Sequence, residues 1–166
     1  MDIIDNFLPK ESYKKIYKTL LSRKFPWYVS NIISEKSFKD NKMLNVQFKS
    51  MFVTGNYRPA DNSKGLDLVD PILKKINPAK IYRIKANLTV GRNNPECTSF
   101  HIDSSKPGLT GIYYVNTCNG YTLFEESKIK VESVANRMLI FDNKLRHTGV
   151  TCTDSKFRVV INFNWC

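Results

Sequence analysis

Histidine is scarce in this chain: two residues in 166, His101 and His147. That scarcity excludes a catalytic zinc site of the three-histidine kind. Cysteine is sparse too. Cys97, Cys118, Cys152 and Cys166 form no CxxC pair, which argues against a zinc knuckle. The opening Met1-Asp2-Ile3-Ile4-Asp5 lacks the basic and then apolar pattern of a secretory leader. The expectation is a cytoplasmic protein with reduced thiols of no special role. No apolar run approaches the roughly 18 residues that a membrane-spanning helix needs, so no membrane partner is expected. Internal repeats and low-complexity tracts are absent as well.

What is present is the composition of a folded globular protein: 42% apolar, 25% charged and 12% aromatic residues. A chain of this length suits one domain, 1–166. The formal net charge is +11. Such a charge suits an acidic partner and leaves nucleic acid open. The basic residues are spread thinly, however, in nothing longer than pairs such as Lys14-Lys15 and Lys74-Lys75. A solvated surface is the simpler reading.

Periodicity predicts a first helix after Pro9, with Tyr13, Ile16, Tyr17, Leu20 and Leu21 on one stripe, ended by Phe25-Pro26. A second helix is predicted over 66–76, with Pro71 near its first turn and Asn77-Pro78 as its stop. The remainder reads as short strands at 27–33, 43–53, 81–90, 98–103, 110–116, 121–124, 129–132, 137–142, 147–151 and 157–165, punctuated by turn residues. The order predicts an α+β fold, mainly β: a jelly roll with one or two N-terminal supporting helices. On this reading residues 1–80 support a jelly-roll core at 81–166.

His101-Ile102-Asp103 places two metal-ligand types at alternate positions of a predicted strand, on one face and about 6–7 Å apart at the backbone. His147 is the only histidine left to join them. Two histidines and one carboxylate leave half of an octahedral metal open, as in non-haem Fe(II) oxygenases. In the last predicted strand Phe157, Val159, Ile161, Phe163 and Trp165 alternate with Arg158, Val160, Asn162 and Asn164. Arg158 thus lies on a polar face, where a guanidinium can grip a carboxylate through two parallel hydrogen bonds. Asn162 shares that face, within reach of a metal-bound water or of a structural hydrogen bond. From spacing alone, two structural histidines fit equally well. Trp27 and Trp165 read as core residues, and Arg137 as closing a turn or meeting a surface acid.

Ordered blocks add to this pattern. His101-Ile-Asp103 is followed by Ile112-Tyr113-Tyr114-Val115-Asn116, Gly120-Tyr121-Thr122-Leu123-Phe124, Asn136-Arg137-Met138-Leu139-Ile140-Phe141-Asp142, His147-Thr148-Gly149-Val150 and Arg158. The series resembles the prolyl-4-hydroxylase-like branch of the 2-oxoglutarate- and Fe(II)-dependent dioxygenases over about residues 81–166. It is similar to small members from marine phages, for which the host cytoplasm is the expected compartment. The opening Ile4-Asp5-Asn6-Phe7-Leu8-Pro9 with its helix also looks like the start of such proteins. The resemblance implies a double-stranded β-helix, with Fe(II) on His101, Asp103 and His147. It implies 2-oxoglutarate as co-substrate, its distal carboxylate on Arg158 and Tyr114, with Asn87 as a further contact. O2 would be the oxidant and ascorbate an admissible reductant. The implied reaction is hydroxylation of a prolyl or other residue in a peptide or protein, with 2-oxoglutarate leaving as succinate and CO2. Two departures stand out. The turn carries a single Gly120 where many relatives have two, and the loop 91–100 has no counterpart in the pattern. The alternative is a non-catalytic basic β module that binds nucleic acid or a virion protein, or a jelly roll holding another divalent metal.

Overall fold

A computed structural model of the protein describes residues 1–31, 46–54, 64–97 and 99–166. Among the described residues, ten strands and two helices follow in the order β1 (Asp2–Ile4), α1 (Lys10–Leu20), β2 (Tyr28–Asn31), β3 (Val46–Val53), α2 (Lys64–Ile76), β4 (Ile81–Val90), β5 (Leu109–Tyr114), β6 (Cys118–Phe124), β7 (Lys130–Ser133), β8 (Arg137–Asp142), β9 (His147–Val150) and β10 (Phe157–Trp165). They form a seven-stranded sheet, β1-β8-β5-β10-β4-β3-β2, and a three-stranded sheet, β7-β6-β9. All strand pairings within both sheets are antiparallel. Mainly β, with two helices near the N-terminus, this is the predicted jelly roll.

β10 organises the larger sheet because both of its faces are covered. Val159, Ile161, Phe163 and Trp165 join Ile16 and Leu20 of α1, Val69 and Ile72 of α2 and Ile84 of β4 in one core. Val160 points the other way, into a second core with Ile112, Tyr114, Phe124, Val131, Leu139 and Phe141. That second core fills the space between the sheets. The alternation seen in the sequence therefore sorts side chains into a helix-covered face and a site-bearing face. Phe157 is the exception, at 38% exposed where the strand begins.

Several expectations need adjustment. Tyr17 is 40% exposed, so the buried stripe of α1 is carried by Ile16 and Leu20. Pro71 lies well inside α2, whose start at Lys64 precedes the predicted one. A proline there donates no N–H to the carbonyl one turn back. The stop is as expected: Asn77 takes a left-handed φ of 43° and donates its N–H to the Leu73 carbonyl. β1 was not foreseen. It is a three-residue edge strand, exposed throughout, so it has no alternation to read. Residues 99–103 form no strand; among them only His101 makes a β-bridge. The predicted strand residues 32–33, 43–45 and 98, and the turn at Gly55, lie outside the described residues.

Arg137 meets an acid as expected. Its Nε and Nη2 donate to the two carboxylate oxygens of Asp5 at 2.6 and 3.0 Å, tying the chain start to β8. The guanidinium, through its hydrogen bond, holds the Asp5 carboxyl below the usual carboxylate range. Asn136 is a second tie. Its Oδ1 accepts from the Leu8 N–H and the Tyr113 hydroxyl, and its Nδ2 donates to the Leu8 carbonyl.

Candidate metal centre

His101 and His147 come together although neither is set by a long strand. Each donates its backbone N–H to the other's carbonyl at 3.0 Å. This narrow bridge fastens the loop that bears His101 and Asp103 to the start of β9. The imidazole centroids lie 5.0 Å apart. Asp103 stands between them: its Oδ1 is 3.7 Å from His101 Nε2, and its Oδ2 is 3.7 Å from His147 Nε2. One ligand atom from each of the three residues falls within a 4.8 Å cluster. The side chains of Asp103 and His147 are each 4% exposed, whereas His101 is half-exposed at 48%.

The hydrogen bonds orient these groups for a cation. His101 Nδ1 is 3.0 Å from the Ser99 carbonyl, and His147 Nδ1 is 3.0 Å from the Leu145 carbonyl. A carbonyl can only accept, so each Nδ1 carries a proton, and in the neutral form of either ring the Nε2 lone pair is left for the centre. Burial lowers the pKa of His147, outweighing the pull of Asp103, which favours the neutral ligand form. Phe141, 4.8 Å away, and Phe124, 6.1 Å away, supply part of that burial.

Arg83 of β4 holds the carboxylate. Its Nη2 donates to Asp103 Oδ1 at 2.9 Å, while its Nε donates to Asn164 Oδ1 at 3.0 Å. Asn164 Nδ2 donates to Thr110 Oγ1, which donates to Asn143 Oδ1 at 2.6 Å. Burial alone would raise the Asp103 pKa, but Arg83, the two imidazoles and Lys85 bring it below the ordinary value. The remaining oxygen, Oδ2, is buried and has no hydrogen-bond partner among the described residues. A buried carboxylate oxygen without a donor, on a group set between two imidazole Nε2 atoms, is an unfavourable arrangement by itself. A divalent cation would satisfy all three, so the residues present fit a metal of the kind expected.

Arg158 lies between the sheets, against Thr122 of β6, Ser133 of β7 and Tyr114 of β5. It is 5% exposed, and no acid pairs with it among the described residues. Nε donates to Ser133 Oγ at 2.9 Å and Nη2 to Thr122 Oγ1 at 3.1 Å. Its guanidinium carbon is 5.6 Å from the Tyr114 ring centroid. The Tyr114 hydroxyl donates to the same Thr122 oxygen at 2.8 Å. Burial raises the Tyr114 pKa, partly offset by Arg158, so the phenol stays protonated. Two glycines make room for the guanidinium. A Cβ on Gly120 would come within 2.8 Å of Arg158 Cδ, and one on Gly149 within 3.3 Å of its Nη1.

Of the residues named from sequence, His101, Asp103 and His147 thus form one cluster, and Arg158 and Tyr114 form another. Asn87 and Asn162 are buried on the same sheet face, each with an unpartnered Oδ1. Sequence reasoning missed Arg83, Thr122 and Ser133. Arg83 lies on the odd-numbered face of β4 with Asn87, a placement that alternation could have flagged. It also missed Lys85, on that face. Burial, then Arg83, lowers the Lys85 pKa to about 8, Lys49 adding to this and Asp103 opposing it.

All four cysteines are free. Cys118, Cys152 and Asp154 also cluster. Burial first, then the neighbouring Cys118, pushes the Cys152 thiol up to about 11, and its Sγ donates to the Ser155 carbonyl. Asp154 already accepts the Asn119 N–H on both oxygens. That cluster has the character of packing.

No protein-family model matches the sequence, and no curated protein sequence is detectably similar to it. Solved structures are similar in fold. A prolyl hydroxylase from Trichoplax adhaerens, in complex with a hypoxia inducible factor peptide fragment, matches with a TM-score of 0.63 and 18% identity over 99% of this chain and 82% of that one. A Pseudomonas putida prolyl-4-hydroxylase matches with a TM-score of 0.60 and 12% identity over 99% and 90%. The non-haem α-ketoglutarate-dependent epimerase SnoN from nogalamycin biosynthesis matches with a TM-score of 0.67 and 11% identity over 99% and 76%. The chain has the fold of the 2-oxoglutarate- and Fe(II)-dependent oxygenases, prolyl hydroxylases among them. No helix among the described residues is long and apolar enough to cross a membrane.

Proposed function

We propose that the protein is a 2-oxoglutarate- and Fe(II)-dependent dioxygenase that hydroxylates a prolyl or other residue of a peptide or protein. The observation that carries this reading is the buried Asp103 carboxylate, its Oδ2 unpartnered, set between two imidazoles oriented by backbone carbonyls. His101 and His147 would each give Nε2 and Asp103 would give Oδ2, while Arg83 keeps Oδ1. Three protein ligands leave open positions for co-substrate and oxidant. Arg158 would take the distal carboxylate of 2-oxoglutarate, an anion that matches its buried and unpaired charge. Tyr114 and Thr122 add hydroxyls at the same point, and Asn87 lies along the same wall. Phe124 and Phe141 shield the His147 side from water. When bound, iron with 2-oxoglutarate and O2 supplies the oxidising power for C–H hydroxylation, 2-oxoglutarate leaving as succinate and CO2. The strands before residue 80 complete the large sheet, so the whole chain would act as one catalytic domain.

The prolyl hydroxylase neighbour with its bound peptide supports a peptide substrate for this fold. A non-catalytic basic module would have no use for both a buried, unpartnered carboxylate oxygen on Asp103 and a buried, unpaired guanidinium on Arg158. Succinate formation from 2-oxoglutarate with Fe(II) and a panel of proline-containing peptides tests the reading. The expected result is iron-dependent succinate that disappears in His101→Ala. Equal turnover in that variant would contradict it.

A further inference from the structure

Lys85 is a charged group on the site-bearing face that the proposed reaction leaves unused. It is half-buried on β4, between Arg83 and Asn87 on the same face. Its cross-strand neighbours are Asn162 on β10 and Met51 on β3. Arg83, Asp103 and Lys49 are its electrostatic neighbours, and only Asp103 attracts it. That carboxylate is already held by Arg83 at 2.9 Å. Lys85 makes no ion pair or hydrogen bond among the described residues. Two residues along, Asn87 is 4% exposed, and its Oδ1 has no donor. Lys49 lies directly across from Asn87 on β3. A half-buried ammonium crowded by two like charges, next to a buried carbonyl oxygen that lacks a donor, is a matched pair of unmet needs: an anion and an N–H.

We infer that this β3–β4 wall is the substrate subsite and that it takes an acidic peptide. Lys85, supported by Lys49, binds a carboxylate side chain adjoining the residue to be hydroxylated, and Asn87 Oδ1 accepts a peptide N–H. The inference rests on the proposed oxygenase reading and adds the chemical class of its substrate. Arg158 lies on β10 among Thr122, Ser133 and Tyr114, so the co-substrate pocket and this wall use separate cations.

The test uses full-length protein with Fe(II) and 2-oxoglutarate under anaerobic conditions, so that binding occurs without turnover. Fluorescently labelled hexapeptides carry a central proline flanked by glutamate, by glutamine or by lysine, and binding is read by anisotropy. The glutamate peptide is expected to bind about tenfold more tightly than the glutamine peptide, the scale of one charge-assisted contact. Lys85→Gln should abolish most of that preference, Lys49→Gln should weaken it, and Lys85→Arg should retain it. Thermal unfolding confirms that the variants fold. Equal binding of the glutamate and glutamine peptides, or no binding of either, overturns the inference. So does a Lys85→Gln variant whose 2-oxoglutarate requirement rises while peptide preference is unchanged, since Lys85 would then serve the co-substrate. The visible band of the iron–2-oxoglutarate complex reports separately on the oxygenase reading, so the two failures are distinguishable.

Discussion

His101 and His147 are locked to each other through the backbone: each N–H donates to the other's carbonyl at 3.0 Å, forming an isolated antiparallel bridge. The two imidazoles are therefore placed by a contact between a loop and a strand start, not within one element. Metal affinity should depend on that clasp. His101→Ala and His147→Ala should each abolish iron retention and succinate formation. Only His147→Ala should also lower thermal stability, because its ring packs on Phe141 whereas His101 is half-exposed. Calorimetry on both variants checks this; equal destabilisation would contradict it.

Arg158 is expected to set the 2-oxoglutarate requirement. Arg158→Ala should raise KM for 2-oxoglutarate by about tenfold or more, the scale of a lost charge-assisted pair, with a smaller change in kcat. Gly120→Ala should move KM in the same direction. Its Cβ would meet Arg158 Cδ at 2.8 Å and the Val150 carbonyl at 2.9 Å, and the latter is backbone that cannot swing away. Steady-state kinetics with varied 2-oxoglutarate reads both.

Arg83 acts through Asp103. Arg83→Met should weaken iron binding by about 10–100-fold, the usual range for a group that orients a metal ligand. Arg83→Lys should rescue only part of it, since one ammonium cannot hold Asp103 and Asn164 in the same fork. Metal titration followed by fluorescence is the measurement, and wild-type affinity in Arg83→Met would remove the residue from the centre.

Asn136 should matter for stability rather than catalysis. It takes a φ of 62° and makes three buried hydrogen bonds that hold Leu8 and Tyr113. Asn136→Ala should cost about 2–4 kcal/mol, from unsatisfied partners and the strained backbone. Asn136→Gly relieves only the backbone part. Denaturant unfolding of both variants separates the two contributions.

The acidic-peptide subsite carries a pH signature. Lys85 faces Arg83, Asp103 and Lys49, with neutral Asn162 and Met51 across the strands. Its folded pKa is about 8, below the ordinary 10.5. The free protein thus loses this charge as pH rises through about 8, and affinity for the glutamate peptide should fall from there. For stability the sign is opposite. Between about 8 and 10.5 the folded chain holds fewer protons at this group than the unfolded chain, so Lys85 alone makes folding more favourable as pH rises. Anisotropy titrations from pH 7 to pH 9.5 follow the binding term.

Much of the architecture was legible because β4 alternates from Arg83 on, β10 alternates apart from Val160 and β8 is a short apolar run, and their limits agree with the predicted ones. That His101, Asp103 and His147 come together was legible for a different reason: with two histidines in the chain there was little to choose among. The local structure around them was not. His-Ile-Asp suggested a strand by alternation, but the segment runs straight into turns before Gly108, whose φ is 147°. Arg83 and Lys85 were hidden because a basic residue is unremarkable in a chain with 26 of them. Thr122 and Ser133 were hidden because their role depends on the small sheet folding over Arg158, which no local pattern reports. Pro71 misled because proline usually marks a helix start, whereas Asp61-Asn62-Ser63, residue types that favour a helix start, stand just before Lys64.

The central claim is that His101, Asp103 and His147 bind one ferrous ion that also takes 2-oxoglutarate. Anaerobic addition of Fe(II) and then 2-oxoglutarate, followed by visible absorption, tests it most directly. The account predicts a weak charge-transfer band that saturates at one iron per chain and is lost in His147→Ala. A folded protein that binds no iron, or a band that survives in His147→Ala, would contradict it.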